Sequence, residues 1–265
     1  MDFLQLMILA VIQGVTEFLP VSSSGHLILP SALLGWPDQG LAFDVAVHFG
    51  SLLAVLLYFR RDIGAMIVAW FASLNGQQSD DGRLAWWVIV ATVPAVVAGF
   101  ILNDFIEATL RNAWVLGSTT LIFGILLGFA QRFSVSAREC RDLTLYMVLI
   151  IGFAQALALM PGTSRSGITI TAAAFLGLSL VEASRFSFLL SVPVIAGAAL
   201  LKTVELFSAD SAVDWISLVL AAGLSGVTAF LCIGLFMRWV ERIGLMPFAV
   251  YRVVLAAMIF AVAYQ

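Results

Sequence analysis

The sequence predicts an all-α polytopic membrane protein made of two inverted-topology repeats. Each repeat is a broken, re-entrant helical hairpin followed by three transmembrane helices. Three observations predict it. A soluble domain carries about 25% charged residues, whereas this chain carries 11%, against 62% hydrophobic residues and a mean hydropathy of +1.06. The apolar runs are long and lack the alternation of strands, so they read as helices in lipid. The polar stretch Gln13–His26 (Q-G-V-T-E-F-L-P-V-S-S-S-G-H) has a later counterpart in Gln155–Thr169 (Q-A-L-A-L-M-P-G-T-S-R-S-G-I-T).

Taken in order, 3–19 and 22–34 are two apolar arms around the first polar stretch. Three runs follow at about 41–59, 84–102 and 113–130, with an amphipathic, turn-rich loop at 60–83. The pattern then repeats, with arms at 143–160 and 166–178 and runs at about 185–201, 215–237 and 248–264. All of it forms one membrane domain over 1–265, with repeat one at about 1–131 and repeat two at about 142–265. A hairpin returns to its own side and three spans do not, so the second repeat must be inserted upside down. Inverted repeats with broken helices place polar sites near the bilayer midplane.

Basic residues orient this arrangement. Arg60, Arg61, Arg83, Arg132, Arg138, Arg141, Arg185, Arg238, Arg242 and Arg252 fall near one side, and only Arg111 and Lys202 near the other. The first side is therefore expected to be cytoplasmic, with both termini and the site opening outside. No Lys or Arg precedes Arg60, so no cleavable signal peptide is expected. Cys140 and Cys232 suggest neither a disulfide framework nor a zinc site. The net charge of -3 argues against nucleic acid as a partner.

Laid over one another with Gln13 on Gln155, Ser22 meets Ser164, Ser24 meets Ser166, Gly25 meets Gly167, and Ser23 faces Arg165. An arginine at bilayer depth costs about 2.5–3.5 kcal/mol on insertion scales. Arg165 therefore needs an anionic partner: either Glu17 as a structural pair, or a phosphate held by its planar fork. Ser164, Ser166 and Gly167 open an arm whose N-terminus attracts negative charge. Ser22, Ser23, Ser24 and Gly25 look alike, although one serine alone would serve as a cap. His26 reads as a nucleophile or general base. Glu17 could orient His26 or bind a divalent cation together with phosphate oxygens. Gln13 lies one turn before Glu17, and Thr169 one turn after Arg165, where it could add a phosphate hydrogen bond. Gly162 belongs to the same second stretch. Thr16, Asp44 and His48 are supporting candidates, with mutual pairing of the last two as the bland reading. Pro94 and Pro193 fall inside spans, and small residues at 196–199 and 223–226 suggest close helix packing.

S-S-G-H at 23–26 resembles an element of acid-phosphatase-like lipid phosphatases, but the other motifs of that family are missing. The two polar stretches together resemble the bacterial undecaprenyl-diphosphate phosphatases of the bacitracin-resistance type. That family carries Glu/Gln-x-x-x-Glu leading into P-V-S-S-(S/T)-G-H, then P-G-x-S-R-S-x-x-T. Here stand Q-G-V-T-E at 13–17, F-L-P-V-S-S-S-G-H at 18–26 and P-G-T-S-R-S-G-I-T at 161–169. Gln13 replaces the first glutamate of many members, which puts a two-carboxylate metal site in doubt. The resemblance implies hydrolysis of undecaprenyl diphosphate to the monophosphate, recycling the carrier for peptidoglycan. It implies a divalent cation (Mg or Ca), a plasma-membrane location, and bacitracin acting on the substrate rather than the protein. The mechanism expected has Arg165, Ser22, Ser164 and Ser166 holding the diphosphate, with attack by Ser23 activated by His26, or by His26 itself. The competing reading is a transporter or flippase of an anionic lipid or small anion using the same site. Small-residue faces would permit a homodimer.

Overall fold

A computed structural model describes residues 2–134, 138–207 and 214–264. Residues 135–137 of the loop expected at 131–142 lie outside these. Helix α1 (Phe3–Thr16) starts with a capping box, in which Gln5 N–H donates to Asp2 Oδ1 at 2.8 Å and Asp2 N–H to Gln5 Oε1 at 3.1 Å. It stops just before Glu17. Helix α2 (Ser23–Leu34) ends at Gly35, whose left-handed φ of 65° a glycine adopts without strain. The apolar runs become α3 (Gly40–Tyr58), α5 (Asp80–Phe105) and α6 (Ala113–Ala130), the last capped by Asn112. The second half contains α7 (Leu145–Leu157), α8 (Arg165–Phe175), α9 (Leu180–Phe207), α10 (Trp215–Ile243) and α11 (Met246–Ala263). Six helices, α3, α5, α6, α9, α10 and α11, are long and apolar enough to cross a membrane, and α1 and α7 are shorter apolar arms. No strand occurs among the described residues.

One element differs from expectation. Much of the loop at 60–83 is the helix α4 (Arg60–Leu74), folded back on α5. Met66 is buried, whereas Ile67, Val68, Phe71 and Leu74 face outward. The amphipathic pattern was real, but it belongs to a helix with an apolar outer face rather than to a solvated loop.

Packing interleaves the halves. α1 lies against α10, α7 against α5, α3 against α10 and α9, and α6 against α11. Close approach is built from small residues. A Cβ on Gly14 would meet Thr228 Oγ1 at 2.0 Å, and one on Gly50 would meet the Ala222 carbonyl oxygen at 2.0 Å. Ser51 and Ser225 join α3 to α10 at 3.1 Å, and Ser225 also donates to the Val47 carbonyl. Gly50→Ala must therefore push α3 away from α10. The expected loss is about 1–3 kcal/mol, read as a lower unfolding temperature in detergent. Of the small residues at 223–226, Ser225 and Gly226 lie at this contact, whereas Gly223 is exposed with nothing within 4 Å of an added Cβ. Those of 196–199 do not lie there: residues 196–198 are exposed, and nothing lies within 4 Å of a Cβ on Gly197. Residues 196–198 face away from the protein, while Ala199 lines an apolar groove beside α3.

A second correction concerns Arg252. Expected among the cytoplasmic-end charges, it is fully buried within α11, with 0% exposure. An aromatic cluster centred on Phe188, touching Phe18, Phe59 and Phe236, lies beneath the first break and anchors the residue next to Glu17.

Candidate functional site

Both helix breaks are made the same way. Ser22 (φ 74°) and Ser164 (φ 67°) are the non-glycine residues with positive φ among the described residues, and each stands immediately before its arm. This conformation costs about 1–3 kcal/mol per residue. It turns the chain so that the N-termini of α2 and α8 begin beside the C-termini of α1 and α7.

Glu17 is the hub. It is nearly buried, at 9% exposure. Its Oε2 accepts from Gln13 Nε2 at 2.9 Å and from Ser23 Oγ at 2.9 Å, with His48 Nε2 at 3.9 Å. Its Oε1 faces Arg165 Nη2 at 3.4 Å. Arg165 also donates to the Ser187 carbonyl at 3.3 Å and lies over the ring of Phe18. The two breaks thus meet through one ion pair, and Ser166 Oγ adds a bond to the Leu19 carbonyl at 2.9 Å.

The serine-rich turns differ in how their helices are capped. Ser164 Oγ accepts from Gly167 N–H at 3.1 Å and lies 3.3 Å from Ser166 Oγ. Ser22 makes no such cap; its hydroxyl faces Ser24 at 3.2 Å. A Cβ on Gly25 would meet nothing closer than 3.7 Å. The start of α2 is therefore uncapped and open, with its amides free for an anion.

His26 is placed differently from expectation. Its Nδ1 lies 2.7 Å from the Ser22 carbonyl, and a carbonyl only accepts, so Nδ1 carries the hydrogen. In the neutral ring Nε2 is then the acceptor, and it receives the Tyr251 hydroxyl at 2.5 Å, with the two rings stacked. No hydrogen bond joins His26 to Ser23; the Ser23 hydroxyl is directed to Glu17 across the break instead.

The remaining candidates divide. His48 reaches the hub, and its Nδ1 is held by the Asp44 carbonyl at 2.7 Å. The Asp44 carboxylate turns to Gln39. Thr16 bonds the Ile12 carbonyl of its own helix. Thr169 spends its hydroxyl on the Arg165 carbonyl (2.8 Å) and Ser187 (2.6 Å), so it steadies the clamp from within. Gly162 has φ 87°, and a Cβ there would strike Thr119 Oγ1 at 2.3 Å.

Two residues of α11 were missed. Tyr251 caps His26 of the first break. Arg252 donates to the carbonyls of Gly162 (2.8 Å) and Thr163 (2.9 Å) in the second break and of Thr120 in α6 (3.2 Å). The signal for Arg252 was the one that singled out Arg165, a cation inside an apolar run. Tyr251 left no signal.

Among the described residues no group of three or more His, Cys, Asp or Glu side chains could hold a metal ion. Beside Glu17, however, the buried Gln13 Oε1 has no hydrogen-bond partner. An apolar groove of about 800 Å³ runs between α3, α10 and the end of α9, lined by Phe49, Leu53, Val219, Val227 and Phe230. None of the polar residues of the breaks lines it.

A sequence model described as "Bacitracin resistance protein BacA" matches residues 6–258. The chain is 56% identical to the undecaprenyl-diphosphatase of Alteromonas mediterranea over 98% of both chains. It is 53% identical to the undecaprenyl-diphosphatase of Teredinibacter turnerae, over 98% of this chain and 99% of that one. To undecaprenyl-diphosphatase 1 of Pseudoalteromonas translucida it is 51% identical over 96% of each.

Proposed function

The chain belongs to the bacitracin resistance protein BacA family, and from that premise we propose that it is a multi-pass membrane hydrolase that converts undecaprenyl diphosphate to undecaprenyl phosphate and inorganic phosphate. The observation that carries this reading is the joining of Glu17, Ser23 and Arg165 across two helix breaks, with an open helix N-terminus beside them.

Arg165 holds the terminal phosphate, assisted by the amides that open α2 and by Ser22, Ser24 and Ser164. Ser23 Oγ attacks the terminal phosphorus, and its proton passes to Glu17 Oε2, 2.9 Å away. The bond from that phosphorus to the bridging oxygen breaks, and the lipid monophosphate leaves with the bonding electrons. Water then attacks the phosphoserine, giving a proton to Glu17 while Ser23 recovers one. His26, whose two ring nitrogens are taken by the Ser22 carbonyl and by Tyr251, steadies the start of α2 beside the phosphate. Charge neutralisation supplies most of the acceleration, as in other phosphoryl transfers.

One carboxylate and an unpartnered amide oxygen suit a hard divalent cation that takes its other ligands from phosphate. Glu17 and Gln13 would hold such an ion, which supplies further neutralisation of phosphate charge. The polyprenyl tail is assigned to the groove between α3 and α10, because α3 carries His48 toward Glu17 and Phe49 toward the groove.

The interleaved packing, α1 on α10 as α7 on α5, supports the inverted-repeat reading. With Arg252 removed from the charge count, the basic residues still fall mainly on one side, which supports both termini outside.

The test is phosphate release from a polyprenyl diphosphate by purified protein in detergent, with and without EDTA. Release that falls at least tenfold on chelation and returns with Mg or Ca is expected. A folded protein that binds the lipid without releasing phosphate would sink the hydrolase reading in favour of a transporter.

A further inference from the structure

Arg252 does more than the fold requires. Its three hydrogen bonds all go to neutral carbonyls, which an uncharged amide side chain could also partly satisfy. A guanidinium has five N–H donors, and the acceptors found for Arg252 among the described residues are these three carbonyls. No carboxylate pairs with it among the described residues. A fully buried cation with no counter-charge is expensive in protein and in lipid alike. Such a group is kept where an anion arrives to meet it.

Its position says which anion. A Cβ on Gly167 would come within 2.8 Å of Arg252 Nη1 and 3.1 Å of Ser164 Oγ. The guanidinium therefore lies directly behind the residues that open α8, and it grips Gly162 and Thr163 just ahead of them. Arg165, between these points, already has its charge met by Glu17. Arg252 has no such carboxylate partner among the described residues. A monophosphate can be held by Arg165 and the α2 amides. A diphosphate brings additional negative charge, and the counter-charge for it is already in place.

Resting on the diphosphatase reading above, we infer that Arg252 is a specificity-determining residue, a cation behind the Gly162–Gly167 backbone that favours diphosphate over monophosphate without touching either. The same bias would help the monophosphate product to leave.

The experiment measures inhibition of polyprenyl diphosphate hydrolysis by inorganic pyrophosphate and by inorganic phosphate, using the full chain in detergent. Wild type, Arg252→Gln and Arg252→Lys are compared. Arg252→Gln is expected to weaken pyrophosphate inhibition roughly tenfold or more and phosphate inhibition only about threefold, because loss of a fixed charge scales with ligand charge. Arg252→Lys loses the planar fork but keeps the charge, so its ratio of pyrophosphate to phosphate affinity stays within about threefold of wild type. Equal weakening toward both probes in Arg252→Gln, or a ratio lost as completely in Arg252→Lys, would show a structural role only and overturn the inference. If Arg252→Gln fails to fold, the Lys variant decides alone, a retained ratio supporting the assignment and a lost one ending it. A wild type that hydrolyses the lipid but does not prefer pyrophosphate also ends it, while leaving the diphosphatase reading intact. A wild type that neither hydrolyses nor binds these probes brings down both.

Discussion

Ser23→Ala is expected to abolish phosphate release, lowering kcat by roughly a thousandfold or more, and the phosphoenzyme trapped from wild type is expected to be acid-stable. Both outcomes follow from where the Ser23 hydroxyl points. It already donates to a carboxylate at 2.9 Å, which is the contact a serine needs to lose its proton as it attacks. His26 is held on both nitrogens, by the Ser22 carbonyl and by Tyr251. To act as the nucleophile it would first have to release the phenol. His26→Ala is therefore expected to cost less, about ten- to a hundredfold, and to leave the phosphoenzyme on serine. Quenching turnover in acid and mapping the labelled residue checks this. An acid-labile phosphoenzyme that disappears in His26→Ala would transfer the chemistry to the histidine.

Glu17→Gln is expected to separate binding from turnover. The glutamine cannot take the Ser23 proton, so kcat falls by roughly a thousandfold. Yet a negative charge has been removed from an anion site, and Arg165 no longer has a competitor for phosphate. With EDTA present, inorganic phosphate should then bind about three- to tenfold more tightly than to wild type. Arg165→Ala does the reverse. It leaves Glu17 buried without its cation, costing about 3–5 kcal/mol of stability, and loses both phosphate affinity and turnover. Phosphate titrations beside steady-state rates distinguish the two variants. Weaker phosphate binding in Glu17→Gln only when Mg or Ca is present would mark a cation held between the carboxylate and phosphate.

These expectations combine what the sequence carried with what it could not. Span number and the two broken hairpins were legible because length and hydropathy decide them in a bilayer. Glu17 and Arg165 stood out as charges at depth, and each is the other's partner in the fold. The arms also begin as read, with Ser22 and Ser164 at equivalent breaks. The rest depends on tertiary contacts and on depth. Ser23 and His26 lie one turn apart on α2, so spacing suggested that they act together. The Ser23 hydroxyl instead crosses the break to Glu17, a tertiary contact that spacing does not encode. Arg252 was counted with the end charges because it lies early in the run at 248–264, although its depth should have raised the same question as that of Arg165. Helix α4 resembles a loop in the sequence because it is too short to span and begins with Arg60, Arg61 and Asp62. Tyr251 is one aromatic residue among many apolar neighbours, and only the fold brings it to His26.

The use of neighbouring residues of α11 to hold both breaks has a consequence for synthesis. Of the described helices, α11 leaves the ribosome last, yet Tyr251 steadies the first break and Arg252 the second. Until α11 enters the membrane, His26 lacks its phenol and the turn at Gly162–Thr163 lacks its support. A nascent chain can thus have Glu17, Ser23 and Arg165 already inserted while both breaks still lack their supports. Both breaks therefore gain their support together, in one late step of insertion.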